Sequence, residues 1–69
     1  DEAIADAVRR ELREDAATTN LEVDVEVVDG VVTLRGTVPD LIDAESAEEV
    51  AYRLRGVREV REELRIANL

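Results

Sequence analysis

An Asp29-Gly30 dipeptide lies between two runs of the sequence in which apolar and polar residues alternate. Alternation with a period of two is typical of β-strands, because successive side chains of a strand point to opposite faces. An Asp-Gly pair suits a two-residue type I′ turn, in which both central residues have positive φ. The sequence therefore predicts a β-hairpin with strands over residues 21–28 and 31–38.

The two-residue turn also fixes the register of the hairpin, with Val28 opposite Val31 and Val25 opposite Leu34. This register separates the side chains into an apolar and a polar set. The apolar face consists of Leu21, Val23, Val25, Val27, Val32, Leu34, Gly36 and Val38, and the polar face of Glu22, Asp24, Glu26, Thr33, Arg35 and Thr37. We expect the apolar face to be buried, with Leu21 opposite Val38 at its far end.

Two further expectations follow from the same register. Asp24 lies opposite Arg35, which predicts an ion pair between the strands. Gly36 lies on the apolar face, where the lack of a side chain would let a helix approach closely. We expect ordinary backbone angles at Gly36 and a positive φ at the turn glycine, Gly30.

Two helices are predicted, over residues 1–16 and 41–55. Each carries apolar residues at intervals of three and four on one side. These are Ile4, Val8 and Leu12 in the first helix and Ala44, Ala47, Val50, Ala51 and Leu54 in the second. Asp40 is suited to the N-cap of the second helix, and Gly56 to its C-terminal cap.

Residues 57–66 alternate again and predict a third strand. Its apolar face would hold Val60, Leu64 and Ile66, but Glu62 interrupts that face and would lie either at its margin or on a bulge. A helical crossover between residues 31–38 and this strand makes the two strands parallel. The predicted fold class is therefore α+β: a single αββαβ domain over residues 1–69, with both helices on one face of a three-stranded mixed sheet.

The composition excludes several functions. The 18 acidic and 9 basic residues give a net charge of −9, which repels nucleic-acid phosphates and anionic lipids. The chain has no histidine or cysteine, the common transition-metal ligands and catalytic partners. No apolar run approaches the roughly 20 residues of a membrane span, and no signal-peptide pattern is visible. We therefore predict no enzymatic activity, no cofactor, no metal site, no nucleic-acid partner and no transmembrane segment.

Four residues at the hairpin turn form the candidate contact site for a partner or lipid: Val28, Asp29, Gly30 and Val31. The two valines are adjacent on an otherwise polar face, although valine is also favoured in strands for its shape alone. Tyr52, the single aromatic residue, is interpreted as a packing residue. The acids around residues 43–49 lack the loop of a calcium site and are interpreted as a solvated face.

The chain from Leu21 to Ile66 resembles the BON domain family. The resemblance rests on the V-x-V-x-V strand from Val23 to Val27, the segment DGVVTLRGTV over residues 29–38, the alanine-rich helix and the Gly56-Val57 turn. It implies the α+β fold given above and no enzymatic activity. At the position of Glu62 the family often has asparagine, so a polar role of the family at this site does not carry over.

The resemblance also implies function. Members of the family occur mostly in bacterial envelope and stress proteins, with some in the cytoplasm, and one relative binds potassium. The favoured function is a binding module of a larger bacterial protein, which mediates peripheral phospholipid association or protein contact. Two alternatives are a small-ligand or monovalent-cation sensor and a dimerisation unit that works through a sheet edge. The acidity argues against simple electrostatic binding to lipid.

Overall fold

The computed structural model, which describes residues 2–67, contains two helices and three strands in the order α-β-β-α-β. The elements are α1 (Glu2–Glu14), β1 (Val23–Val28), β2 (Val31–Val38), α2 (Leu41–Tyr52) and β3 (Glu59–Ile66). The sheet has the order β1-β2-β3, with β1 antiparallel and β3 parallel to the central strand. The predicted α+β fold is confirmed. Asp1, the predicted first residue of α1, lies outside the described residues.

The hairpin has the predicted register. Val28 is the partner of Val31 and Val25 that of Leu34, and Asp29 and Gly30 have φ values of 52° and 78°. These positive angles define the two-residue turn whose twist matches that of the flanking strands. The pairing ends at Val23, so the predicted Leu21 to Val38 pair lies beyond it.

The core lies between the sheet and the two helices. α1 packs against β1, and α2 covers β2 and β3. The buried cluster comprises Ala5, Val8 and Leu12 of α1, Val25, Val27, Val32, Leu34 and Val60 of the sheet, and Ala47, Val50 and Ala51 of α2. Leu34 and Val32 have no exposed surface. The alanines let α2 lie close to the sheet. Both helices pack on the same face of the sheet and leave the other face open.

Both helices are shorter than predicted because side chains and tight turns end them early. After α1 ends at Glu14, Thr18 turns inward, and its hydroxyl donates to the Leu12 carbonyl at 2.7 Å. Thr18 is only 1% exposed, so this predicted loop residue belongs to the interior. After α2 ends at Tyr52, the next two amides bond to carbonyls three residues earlier, a narrower turn than that of an α-helix.

Gly36 contradicts two of our expectations. Its φ is 134°, which is not an ordinary strand angle, and a Cβ built on it would lie 2.8 Å from the Glu22 carbonyl oxygen. The close neighbour is therefore the backbone that leads into β1 and not a helix. Glycine is required here because an L side chain would meet both the strained φ and the carbonyl.

Glu62 lies on β3 without a bulge. The register from Val31 with Glu59 to Val38 with Ile66 is continuous, so the bulge alternative is wrong. Glu62 is half-buried on the helix-facing side, and its carboxylate accepts a hydrogen bond from the Leu64 amide at 2.7 Å. β3 begins at Glu59 and not at the predicted residue 57, because the Val57 amide still bonds to Leu54 in a turn.

Candidate functional site

The hairpin turn, which carries the four predicted contact residues, is held firmly by the segment before β3. The Arg58 amide donates to the Gly30 carbonyl at 2.7 Å, and the Arg58 guanidinium donates to the Asp29 carbonyl at 3.2 Å. A Cβ on Gly30 would lie 2.9 Å from carbons of the Arg58 side chain. The turn is therefore held by two hydrogen bonds from Arg58, in the segment that leads into β3.

The same contacts divide the predicted site into accessible and covered residues. Val28 is 58% exposed, and Asp29 is also exposed. Val31 is half-buried and Gly30 is buried. The part of the turn that a partner can reach is thus the Val28 side of it, with Val31 beside it on the same face.

A shallow depression extends from the turn over the open face of the sheet. It has a volume of about 390 Å³. Its lining consists of Glu26, Val28, Asp29, Val31, Thr33, Arg35 and Arg61. The two valines form the apolar end and the charged residues the other, so a ligand here would place an apolar group at the turn.

The charged end of the depression is organised around Arg35. Its guanidinium donates to Glu63 and to Glu26, each at 3.2 Å, and the pKa of Arg35 is raised by these contacts, Glu63 foremost. Asp24 is the cross-strand partner of Arg35, as predicted, but the ion pairs go to other acids. Glu63 lies directly opposite Arg35 on β3, and Glu26 is its diagonal neighbour on β1, within reach of a long side chain. The positive charge of Arg35 is therefore shared between two carboxylates.

No group of three or more acidic residues within residues 2–67 could hold a metal ion. The carboxyl group whose pKa departs clearly is Asp15, where hydrogen bonds from Arg53 and from the Ala17 amide lower it. This is an ion pair between the ends of two helices, away from the hairpin turn. Within the same residues, neither helix is long and apolar enough to cross a bilayer.

Sequence reasoning missed the exposed apolar residues of α2. Leu41 and Ile42 are 59% and 70% exposed at its first turn, and Tyr52 is 51% exposed at its end. Tyr52 is therefore not the packing residue that we expected. The exposure of Leu41 and Ile42 could have been predicted from the sequence. Neither residue belongs to the apolar stripe of α2 that faces the sheet, which contains Ala44, Ala47 and Val50.

Comparison with known proteins supports the resemblance. The family model described as BON domain matches residues 1–68, almost the whole chain. Comparison with curated protein sequences finds no match. Domains of this family are commonly phospholipid-binding or interaction modules.

Proposed function

Because this chain belongs to the BON domain family, we propose that it is a non-catalytic module that binds a protein partner through the hairpin turn. The observation that carries the proposal is Val28, an exposed apolar side chain on a turn that Arg58 holds with two hydrogen bonds. A rigid contact residue loses little conformational entropy on binding. A partner that covers Val28 also gains the burial of its apolar surface.

The charge distribution favours a protein over an anionic membrane. Arg9, Arg35, Arg53 and Arg61 are each paired with at least one acid. The other five of the nine arginines are outnumbered by the acids, because the net charge of the whole chain is −9, and we therefore expect little attraction to anionic lipid head groups. A protein surface that offers an apolar pocket with a basic rim complements the turn and the acids around it better.

Site-directed photo-crosslinking tests the proposal. A photoreactive amino acid replaces Val28, which is 58% exposed. In a matched control it replaces Ile42, which is 70% exposed but lies on α2. We expect one protein crosslinked from position 28, identified by mass spectrometry, and none from position 42. With that protein purified, Val28→Ser should weaken binding about tenfold and Ile42→Ser should not.

The stability of both variants must stay within about 1 kcal/mol of the wild type, since exposed positions contribute little to folding. Crosslinks to lipid from position 28, or equal protein crosslinks from both positions, would show that the turn is not a protein-binding site. A full loss of binding by Ile42→Ser would show that the partner contacts α2 and not the hairpin turn.

A further inference from the structure

β3 is an edge strand of eight residues, and alternate residues point their backbone groups away from the sheet. The Glu59 amide donates to the Gly30 carbonyl at 3.4 Å, and the Ala67 amide donates to the Val38 carbonyl at 2.8 Å. In both bonds the donor follows its acceptor by the same number of residues along the chain. The odd-numbered residues of β3 therefore bond to β2. The even-numbered residues, from Val60 to Ile66, direct their amides and carbonyls outward.

The two edges of the sheet differ in how they are covered. At β1 the Arg9 guanidinium reaches over from α1 and donates to the Val25 carbonyl at 3.0 Å. At β3 the cover comes from the strand itself, where the Glu62 carboxylate takes the outward amide of Leu64. Leu64 and Ile66 remain only half-buried. Exposed strand edges of this kind are templates for pairing with another strand.

The sequence of β3 is complementary to itself when two copies run antiparallel. Glu59, Arg61, Glu63 and Arg65 alternate in charge along the open face of the sheet. A two-fold axis at Glu62 places Glu59 opposite Arg65 of the second copy and Arg61 opposite its Glu63, each pair occurring twice. On the helix-facing side Val60 meets Leu64. Even-numbered residues oppose even-numbered ones, as the outward hydrogen bonds require.

No neighbouring register shares this property. A shift of the second copy by two residues in either direction brings arginine opposite arginine and glutamate opposite glutamate. Like charges directly opposite each other destabilise a strand pair. The charge pattern therefore selects one alignment out of those that the backbone allows.

Glu62 lies at the centre of that alignment and opposes it in two ways. Its carboxylate would face that of the second copy, and in the monomer it occupies the Leu64 amide that the pairing needs. An inward-pointing charge is one of the ways in which edge strands are kept apart. We propose that the β3 edge is a self-association surface for a second copy of this chain, in the alignment centred on Glu62, and that Glu62 limits its strength.

Sedimentation equilibrium measures the association of the wild type and of Glu62→Gln at concentrations up to about 1 mM. Removal of one like-charge pair should raise the dimerisation constant about five- to tenfold. Glu49→Gln, which removes the same charge from an exposed site on α2, is the control and should have little effect. If Glu62→Gln stays monomeric over this range, the proposal is wrong.

A complementation experiment tests the alignment itself. Arg65→Glu alone places acid opposite acid, and Glu59→Arg alone places base opposite base, so each variant in the Glu62→Gln background should lose its dimer. An equimolar mixture restores both opposite-charge pairs and should dimerise again. Circular dichroism checks that both variants are folded. A mixture that stays monomeric while both variants are folded, or single variants that still dimerise, would overturn this alignment.

Discussion

Backbone conformation at Gly36 shows how one residue can be fixed by geometry alone. The core does not require a small or apolar residue at position 36, because Gly36 lies opposite Val23 near the end of the hairpin. What excludes other residues is a φ of 134° together with the Glu22 carbonyl at 2.8 Å from the Cβ position. A positive φ of this kind costs an L residue roughly 1–3 kcal/mol.

We therefore predict that Gly36→Ala destabilises the domain by roughly 2–3 kcal/mol, because strain and the contact with a backbone oxygen add. The neighbouring Thr37→Ala is the control, and because Thr37 is exposed it should cost less than about 1 kcal/mol. Urea denaturation of both variants measures the difference. Equal tolerance at the two positions would mean that the backbone at Gly36 relaxes without strain.

The residues that sequence reasoning misjudged share a physical cause. Gly36 is determined by the close approach of the Glu22 carbonyl from across the hairpin, and Thr18 by a hydrogen bond back to Leu12 at the end of α1. No local period carries that information. Leu34, by contrast, was predicted as buried because the turn and the alternation alone place it on the inner face, and it has no exposed surface.

The C-terminal ends of the two helices are joined by an ion pair between Arg53 and Asp15. The guanidinium donates to the carboxylate at 2.8 Å, and a second carboxylate, that of Glu49, lies 3.6 Å from it. The hydrogen bond from Arg53 is the main cause of the lowered pKa of Asp15, and the pKa of Arg53 is raised by the same bond. The contact links α1 to α2 beyond the apolar core.

A lowered carboxyl pKa in the folded state gives a definite pH dependence. The stabilisation is present in full above the ordinary carboxyl pKa of about 4, and it is lost as the pH falls through the lowered value. We predict that Arg53→Gln is less stable than the wild type near pH 6 and that the difference disappears as the pH falls well below 4. Chemical denaturation over this pH range measures it.

Arg10→Gln is the control for the charge that Arg53→Gln removes, since Arg10 is an exposed arginine of α1. Its stability difference from the wild type should not shrink in the same acid range. A difference for Arg53→Gln that stays constant down to pH 2 would mean that lost packing and not the Asp15 contact is the cause.

At the scale of elements, the hairpin was predicted better than the helix ends. Its register depends on two adjacent residues and a period of two, both of which are local. The end of α2 depends on turns that continue to Gly56, and the start of β3 on the Val57 amide, so both limits shift by two or three residues. Of the four candidate contact residues, the burial of Gly30 and the half-burial of Val31 needed the structure. Arg58, which contacts Gly30, is distant in sequence.

The distribution of charge over the molecule distinguishes between phospholipid binding and protein binding, the two functions that are common in the family. Both helices cover one face of the sheet, and on the open face Arg35 is bonded to Glu26 and Glu63, and Arg61 to Glu59. The sign of the net charge can be read from the sequence, but the pairing of Arg35 with Glu26 and Glu63 depends on the order of the strands. Arg35 and Arg61, whose charges are compensated in this way, contribute little to a basic patch on the open face.

We therefore predict that the isolated domain binds anionic phospholipid vesicles weakly or not at all near physiological salt. Each base near an anionic membrane contributes attraction only if its charge is not already compensated, and the net charge of −9 adds repulsion over about a Debye length. Vesicle sedimentation with phosphatidylglycerol-rich and purely zwitterionic membranes measures it. Strong binding to the anionic vesicles that fades with added salt would reveal a basic surface. Equal binding to both, lost in Val28→Ser, would instead make the apolar turn a membrane anchor and would contradict a protein as its partner.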